Sequence, residues 1–179
     1  MAETVSTCTA FAGERRIASG PLAEVALAAK AAVDAGEAVL VFDDDGARQV
    51  EIDFRGSAAE VAARLAPAEP PRGPGRPKLG VVAREVTLLP RHWDWLARQP
   101  GGASVALRRL VEEARRSPAA ERRAAQEAAY RFMSVMAGDR PGFEEACRAL
   151  FAGDAEGLAA RMAGWPADVR DHARRLAGL

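Results

Sequence analysis

Residues 67–77, PAEPPRGPGRP, place five prolines and two glycines in eleven positions. Proline has no N–H to give a helix or a sheet ladder, and it pushes the residue before it out of the helical region. This stretch is therefore excluded from element interiors and marks the best boundary in the chain. Whatever the 179 residues fold into is assembled on either side of it.

Charge changes at the same place. The chain carries 25 basic and 25 acidic residues, a net of zero. Residues 1–69 hold six basic and twelve acidic residues, a net of −6. Residues 70–116 hold ten basic and four acidic, a net of +6, and residues 117–179 hold nine of each. A basic middle suits a polyanion, or an acidic surface on a partner or on a second copy.

The head reads as alternating short elements. Residues 4–11 have strand composition. Residues 18–36 have a helical pattern, with Ser19 as cap, Pro21 in the first turn, Gly36 as stop and Leu22, Val25, Ala29 and Val33 on one face. Residues 38–42 form a short apolar strand, Asp43, Asp44, Asp45 and Gly46 a hairpin turn, and residues 48–54 a period-two strand with Val50, Ile52 and Phe54 facing one way. Residues 56–66 are a helix capped by Ser57. Beyond the basic middle the chain is helical, and Ala125, Ala128, Ala129, Phe132, Met133 and Met136 line one stripe. The expected class is α+β. It comprises a small β-α-β-β-α unit over 1–66, a Pro/Gly/basic arm or linker over 67–79, a strand-helix-helix segment over 80–116 and a helical unit over 117–179.

Several chemistries are not supported. No stretch approaches the roughly 20 apolar residues of a membrane helix. The start lacks the basic and apolar regions of a signal peptide. Cys8 and Cys147, far apart, suit buried thiols in a reducing cytoplasm. The cysteines and the two histidines lack metal-ligand spacing, and Asp43 to Gly46 lacks the twelve-residue span of a calcium loop. No phosphate loop, G-x-S-x-G elbow or Cys/His pair is present, so no catalytic site, metal or cofactor is expected. His92 and Asp94 flank Trp93 but, two residues apart, point to different helix faces. Trp93 with Leu96 is expected in the core, and His172 at the surface.

The middle carries the functional signal. Gly75, Arg76, Pro77 and Lys78 resemble the centre of an AT-hook, in which an extended chain lays an arginine into a narrow A·T minor groove. By itself the segment reads rather as a solvated Pro-rich linker. The residues after it form a strand over 81–89, a helix over 90–99 opened by Pro90, and a second helix over 103–116 with Ser104 as cap. This order resembles the ribbon-helix-helix fold of bacterial repressors and antitoxins. There, strands of two chains pair into a ribbon that enters the major groove, and the second helix holds a phosphate at its N-terminus. The resemblance implies a homodimer that binds DNA. Arg76 and Lys78 would lie near a minor groove, Arg84 and Thr87 would be strand candidates for groove contact, and Arg91, Ser104, Arg108 and Arg109 would hold phosphates. Two strand parities stay open. One turns Arg84, Val86 and Leu88 to the DNA. The other buries Val86 and Leu88, each favourable by roughly 1.5–3 kcal/mol, and leaves Glu85 and Thr87 outward. The other function considered is a non-enzymatic protein–protein interaction module whose basic middle meets an acidic partner.

A second resemblance is broader. GRPKLGVVAREVTLLPRHWDWLARQPGGASVALRRLVEEAR, AAYRFMSVMAGDRPGFEEACRALFAGD and WPADVRDHARRLA, with TAFAGERRIASGPLAEVA near the start, resemble a bacterial family catalogued as domain of unknown function 2239. It implies one shared architecture and brings no established activity or catalytic residue.

Overall fold

The computed structural model describes residues 7–66, 82 and 84–179. Two compact units are present, one from Met1–Pro67 with Arg122–Leu179, the other from Ala68–Glu121. The first unit is α+β, as its sequence implies. Three antiparallel strands, β1 (Thr7–Ala12), β2 (Arg15–Pro21) and β3 (Val39–Asp43), lie in the order β2-β1-β3. Helix α1 (Leu22–Asp34) joins β2 to β3, and α2 (Ala58–Leu65) follows. The tail supplies α5 (Pro118–Ala137), whose residues from Arg122 onward belong to this unit, then α6 (Phe143–Ala152), α7 (Ala155–Arg161) and α8 (Ala167–Leu176).

The order of the head is β-β-α-β-α, not the expected β-α-β-β-α. Gly13, at φ +56°, makes a tight turn with Glu14 after β1, and the seven residues Arg15–Pro21 pair back along it. Residues 15–21 are thus a strand, and the helix begins only at Leu22. Ser19 does not cap it, because Pro21 stands at the cap and the Ser19 hydroxyl lies 3.1 Å from that of Thr9 across the ladder. Residues 48–54 do not extend the sheet. They touch β3 through one bridge, Phe42 to Gln49, with Asp43 N–H donating to the Arg48 carbonyl and Val50 N–H to the Val41 carbonyl. The carbonyls of Asp53 and Arg55 instead accept from the Arg64 guanidinium on α2, at 2.7 and 2.5 Å. The expected side-chain face survives: Val50, Ile52 and Phe54 all pack against the core beneath α1.

Alternation along β1 separates two cores. Cys8 and Ala10 face α1 and meet Val25, Ala29 and Val41. Phe11 faces the tail and meets Phe42, Phe132, Met133, Leu150, Met162 and Val169. The central strand is covered on both sides, and the head and tail share one core. The α5 stripe appears as the spacing predicts, with Ala128, Ala129, Phe132 and Met133 buried and Ala125 and Met136 half-buried. Local signals set the helix ends. Ser57 and Glu60 form a capping box, with Ser57 N–H donating to Glu60 Oε2 at 2.7 Å. The Asp154 carboxylate caps α7 by accepting from Gly157 N–H at 2.9 Å.

Phe132 is fully buried, with its ring 5.3 Å from that of Phe11 and 5.1 Å from that of Phe42. Phe132→Ala is expected to lower the stability of this unit by about 3–5 kcal/mol, read as a lower denaturant midpoint in urea. A loss below about 1 kcal/mol would show that the sheet and tail do not depend on this contact.

Candidate nucleic-acid interface

The second unit contains α3 (Pro90–Ala97) and α4 (Gly102–Arg115). Pro90 opens α3, where its missing N–H costs nothing. Gly101, at φ +81°, opens α4. A Cβ there would lie 3.0 Å from that of Val105, so both the backbone and the space require glycine. The Ser104 hydroxyl does not cap α4 as expected. The cap lies three residues earlier, at Gly101, and Ser104 is exposed within the first turn. That turn carries no acidic residue and no side-chain cap, although Gly102 N–H donates to the Gln99 carbonyl at 2.9 Å, so the positive end of the helix dipole is not offset by a side chain of the turn.

The hydrophobic closure of this unit is small. Leu96 on α3 and Ala106 on α4 are the residues these helices bury. Trp93, expected in the core, is 40% exposed, and Trp95 is 49% exposed. Two short helices bury only the seam where they meet, and Trp93 sits about 60° around α3 from Leu96. Residues 82 and 84–89 form no strand within the chain. Among the described residues the sheet consists of β1, β2 and β3, and no backbone hydrogen bond involves the N–H groups of residues 84–89. Among the described residues, 84–89 of the expected strand over 81–89 have no strand partner.

Of the expected contact residues, Arg84, Thr87, Arg91, Ser104, Arg108 and Arg109 are all exposed. Arg76 and Lys78 lie outside the described residues. Among the described residues Arg84, Arg91, Arg108 and Arg109 make no ion pair, whereas Arg115 and Arg116 both reach Glu112, at 3.3 and 3.6 Å. Arg108 and Arg109 project about 100° apart around α4, so they suit two different phosphates and not one.

In the first unit the structure reveals a polar cluster that sequence reasoning missed. His172 is fully buried, not at the surface, with its ring 4.5 Å from that of Phe132 and 5.2 Å from that of Phe11. Its Nδ1 lies 3.0 Å from Arg175 Nη2 and accepts from it, which places the ring proton on Nε2, an atom with no hydrogen-bond partner among the described residues. Arg175 also donates to Asp44 Oδ1 at 3.0 Å, and the Thr9 hydroxyl donates to the same oxygen at 2.7 Å. Burial alone would raise the Asp44 carboxyl, but the hydrogen bonds from Thr9 and Arg175 outweigh it and hold the group below its ordinary value. Burial first, and the Arg175 charge second, depress the His172 imidazole to about 4. The available signal was spacing: Val169, His172, Ala173 and Leu176 repeat at helical intervals, and all four are buried. The cluster ties β1, the turn after β3 and α8 together. Among the described residues no group of three His, Cys, Asp or Glu side chains is placed to hold a metal.

Over residues 7–177 the chain matches the family described as "Uncharacterized protein conserved in bacteria (DUF2239)". The chain belongs to that bacterial family. No curated protein and no solved structure matches it. No helix among the described residues is long and apolar enough to cross a membrane.

His172 gives a pH prediction. Its folded value of about 4 lies below the ordinary 6.5, so the unfolded chain binds the extra proton first. Stability is complete above about pH 6.5 and falls as pH drops toward 4, by roughly 3 kcal/mol in total for a shift of this size. The Asp44 carboxyl, held low in the fold, adds a loss in the same direction at still lower pH. Urea denaturation from pH 7 to 4.5 is expected to show this decline, and His172→Phe to flatten it. An equally steep decline in that variant would place the cause elsewhere.

Proposed function

We propose that this chain is a small cytoplasmic DNA-binding regulator without a catalytic site, acting through the α3–α4 unit as a homodimer. The observation that supports it is the set of exposed arginines that make no ion pair among the described residues, Arg84, Arg91, Arg108 and Arg109, together with an α4 N-terminus that carries no acid and no side-chain cap. Each feature favours a phosphate, by side-chain charge in one case and by the helix dipole in the other. Arg76 and Lys78 extend the basic segment toward a groove. The order of this segment is that of a ribbon-helix-helix protein, with residues 84–89 supplying the ribbon.

A second reading has its own observation. Trp93, Trp95 and Val111 are exposed, and large apolar side chains in a basic surface also suit an acidic protein partner. Duplex DNA separates the two. Under the DNA reading, the full chain shifts a random duplex at about 50 mM salt and tens of micromolar protein. The double variant Arg108→Ala with Arg109→Ala then lowers the slope of log affinity against log salt by up to about two units per chain. No shift under those conditions removes the DNA reading in favour of the interaction module.

A further inference from the structure

In the first unit, α5, α6, α7 and the end of α8 leave between them a cavity of about 110 Å³. Its floor is apolar, made by the buried side chains of Leu150 and Leu158 with Ala177 beside them. Its mouth carries three polar side chains, Arg122 and Gln126 from α5 and Asp154 from the turn between α6 and α7. Gly153, at φ +72°, ends α6 and turns the chain so that Asp154 follows at the rim.

The polar groups at the mouth are oriented but not used up. Gln126 Nε2 donates to the Leu150 carbonyl at 2.8 Å, which leaves Gln126 Oε1 as an acceptor without a partner among the described residues. Asp154 Oδ1 accepts from Gly157 N–H at 2.9 Å, and Asp154 Oδ2 has no hydrogen-bond partner among the described residues. Arg122 makes no ion pair among them either, whereas Arg123 beside it reaches Glu127 at 3.2 Å. A cation and an anion thus line one mouth over an apolar floor, paired neither with each other nor with another described side chain.

We propose that this cavity binds a free α-amino acid with a small aliphatic side chain, of the valine or leucine type. A ligand with only a carboxylate is drawn by Arg122 and repelled by Asp154, and one with only an amine meets the reverse. A zwitterion satisfies both. Its carboxylate accepts from the Arg122 guanidinium, and its ammonium donates to Asp154 Oδ2 and Gln126 Oε1. Volume sets the side chain. An apolar cavity of about 150 Å³ holds the six carbons of benzene, so one of about 110 Å³ holds roughly four, the isobutyl group of leucine, and is too small for a benzyl group. The site does not rest on the DNA reading, because every residue in it belongs to the first unit.

Calorimetric titration of the full chain tests the site. L-Leucine or L-valine is expected to bind one per chain. Isocaproate and isoamylamine, which keep the leucine side chain and one charge each, are expected to bind weaker by roughly tenfold or more, the loss of one charge-assisted contact. Arg122→Gln and Asp154→Asn are expected to weaken leucine by a similar factor. Both positions are exposed, and asparagine keeps the oxygen that caps α7, so the melting temperature of the ligand-free variants stays near that of the wild type. No binding and no rise in melting temperature with either amino acid at about 10 mM overturns the site. Isocaproate binding as tightly as leucine, or leucine binding unchanged in Asp154→Asn, overturns the amino-acid assignment. L-Phenylalanine binding as tightly as leucine overturns the limit on side-chain size.

Discussion

The first unit depends on the burial of one strand from both sides. β1 contributes Cys8 and Ala10 to the core under α1 and Phe11 to the core under the tail. A central strand with two apolar faces cannot be satisfied by the head alone, because α1 covers only one of them. The other face needs Phe132, Met133 and Val169, which enter the sequence more than a hundred residues later. The contact is geometric as well as hydrophobic. The Phe42 ring meets those of Phe11 and Phe132 edge-on, at interplanar angles of 78° and 75°.

The polar cluster follows from the same constraint. Thr9 shares the tail-facing side of β1 with Phe11, so a hydroxyl is carried into the core and must find a partner. The Asp44 carboxylate supplies it, and the Arg175 guanidinium neutralises that carboxylate. His172 then sits between Arg175 and the phenylalanine rings, where only its neutral form is tolerated. At the edge of the sheet the Asp168 carboxylate accepts from Arg16 N–H at 2.8 Å, so α8 also occupies a donor of edge strand β2. One helix supplies both the apolar cover and the polar ties.

Much of this fold was legible, and the failures have physical causes. Helical stripes are strong signals because several residues repeat at fixed spacing. α1, α2 and α5 were therefore placed within a few residues, and Ser57 was correctly read as a cap. β2 is not legible because RRIASGP ends in a serine, a glycine and a proline that also suit a helix start; tertiary pairing with β1 decides it. Residues 48–54 showed true alternation, but alternation reports which side chains are buried, not where the backbone groups bond. His172 was misplaced because RDHARR is charged, and the three arginines and the aspartate around it hid a buried face of only four positions. In the candidate interface the helix starts and the exposed arginines were legible. The role of Trp93 was not, since an amphipathic face is the same whether its cover lies within the chain or outside it.

That last ambiguity is the physical centre of the second unit. Helices of eight and fourteen residues are marginal in water without tertiary support, and here Leu96 and Ala106 supply most of the burial. In the proposed homodimer a second copy would add that support and would also bring a second set of arginines close to the first. Their mutual repulsion opposes the pairing that the apolar side chains favour. Phosphates set along both copies would relieve the repulsion, so a polyanion that binds the pair better than the single chain must also strengthen the pairing by the same factor. Self-association and polyanion binding are on this view one equilibrium with two readouts. Under the proposed function the exposed tryptophans and the exposed arginines need no separate roles, because the apolar set would hold the copies together and the basic set would give their union a target.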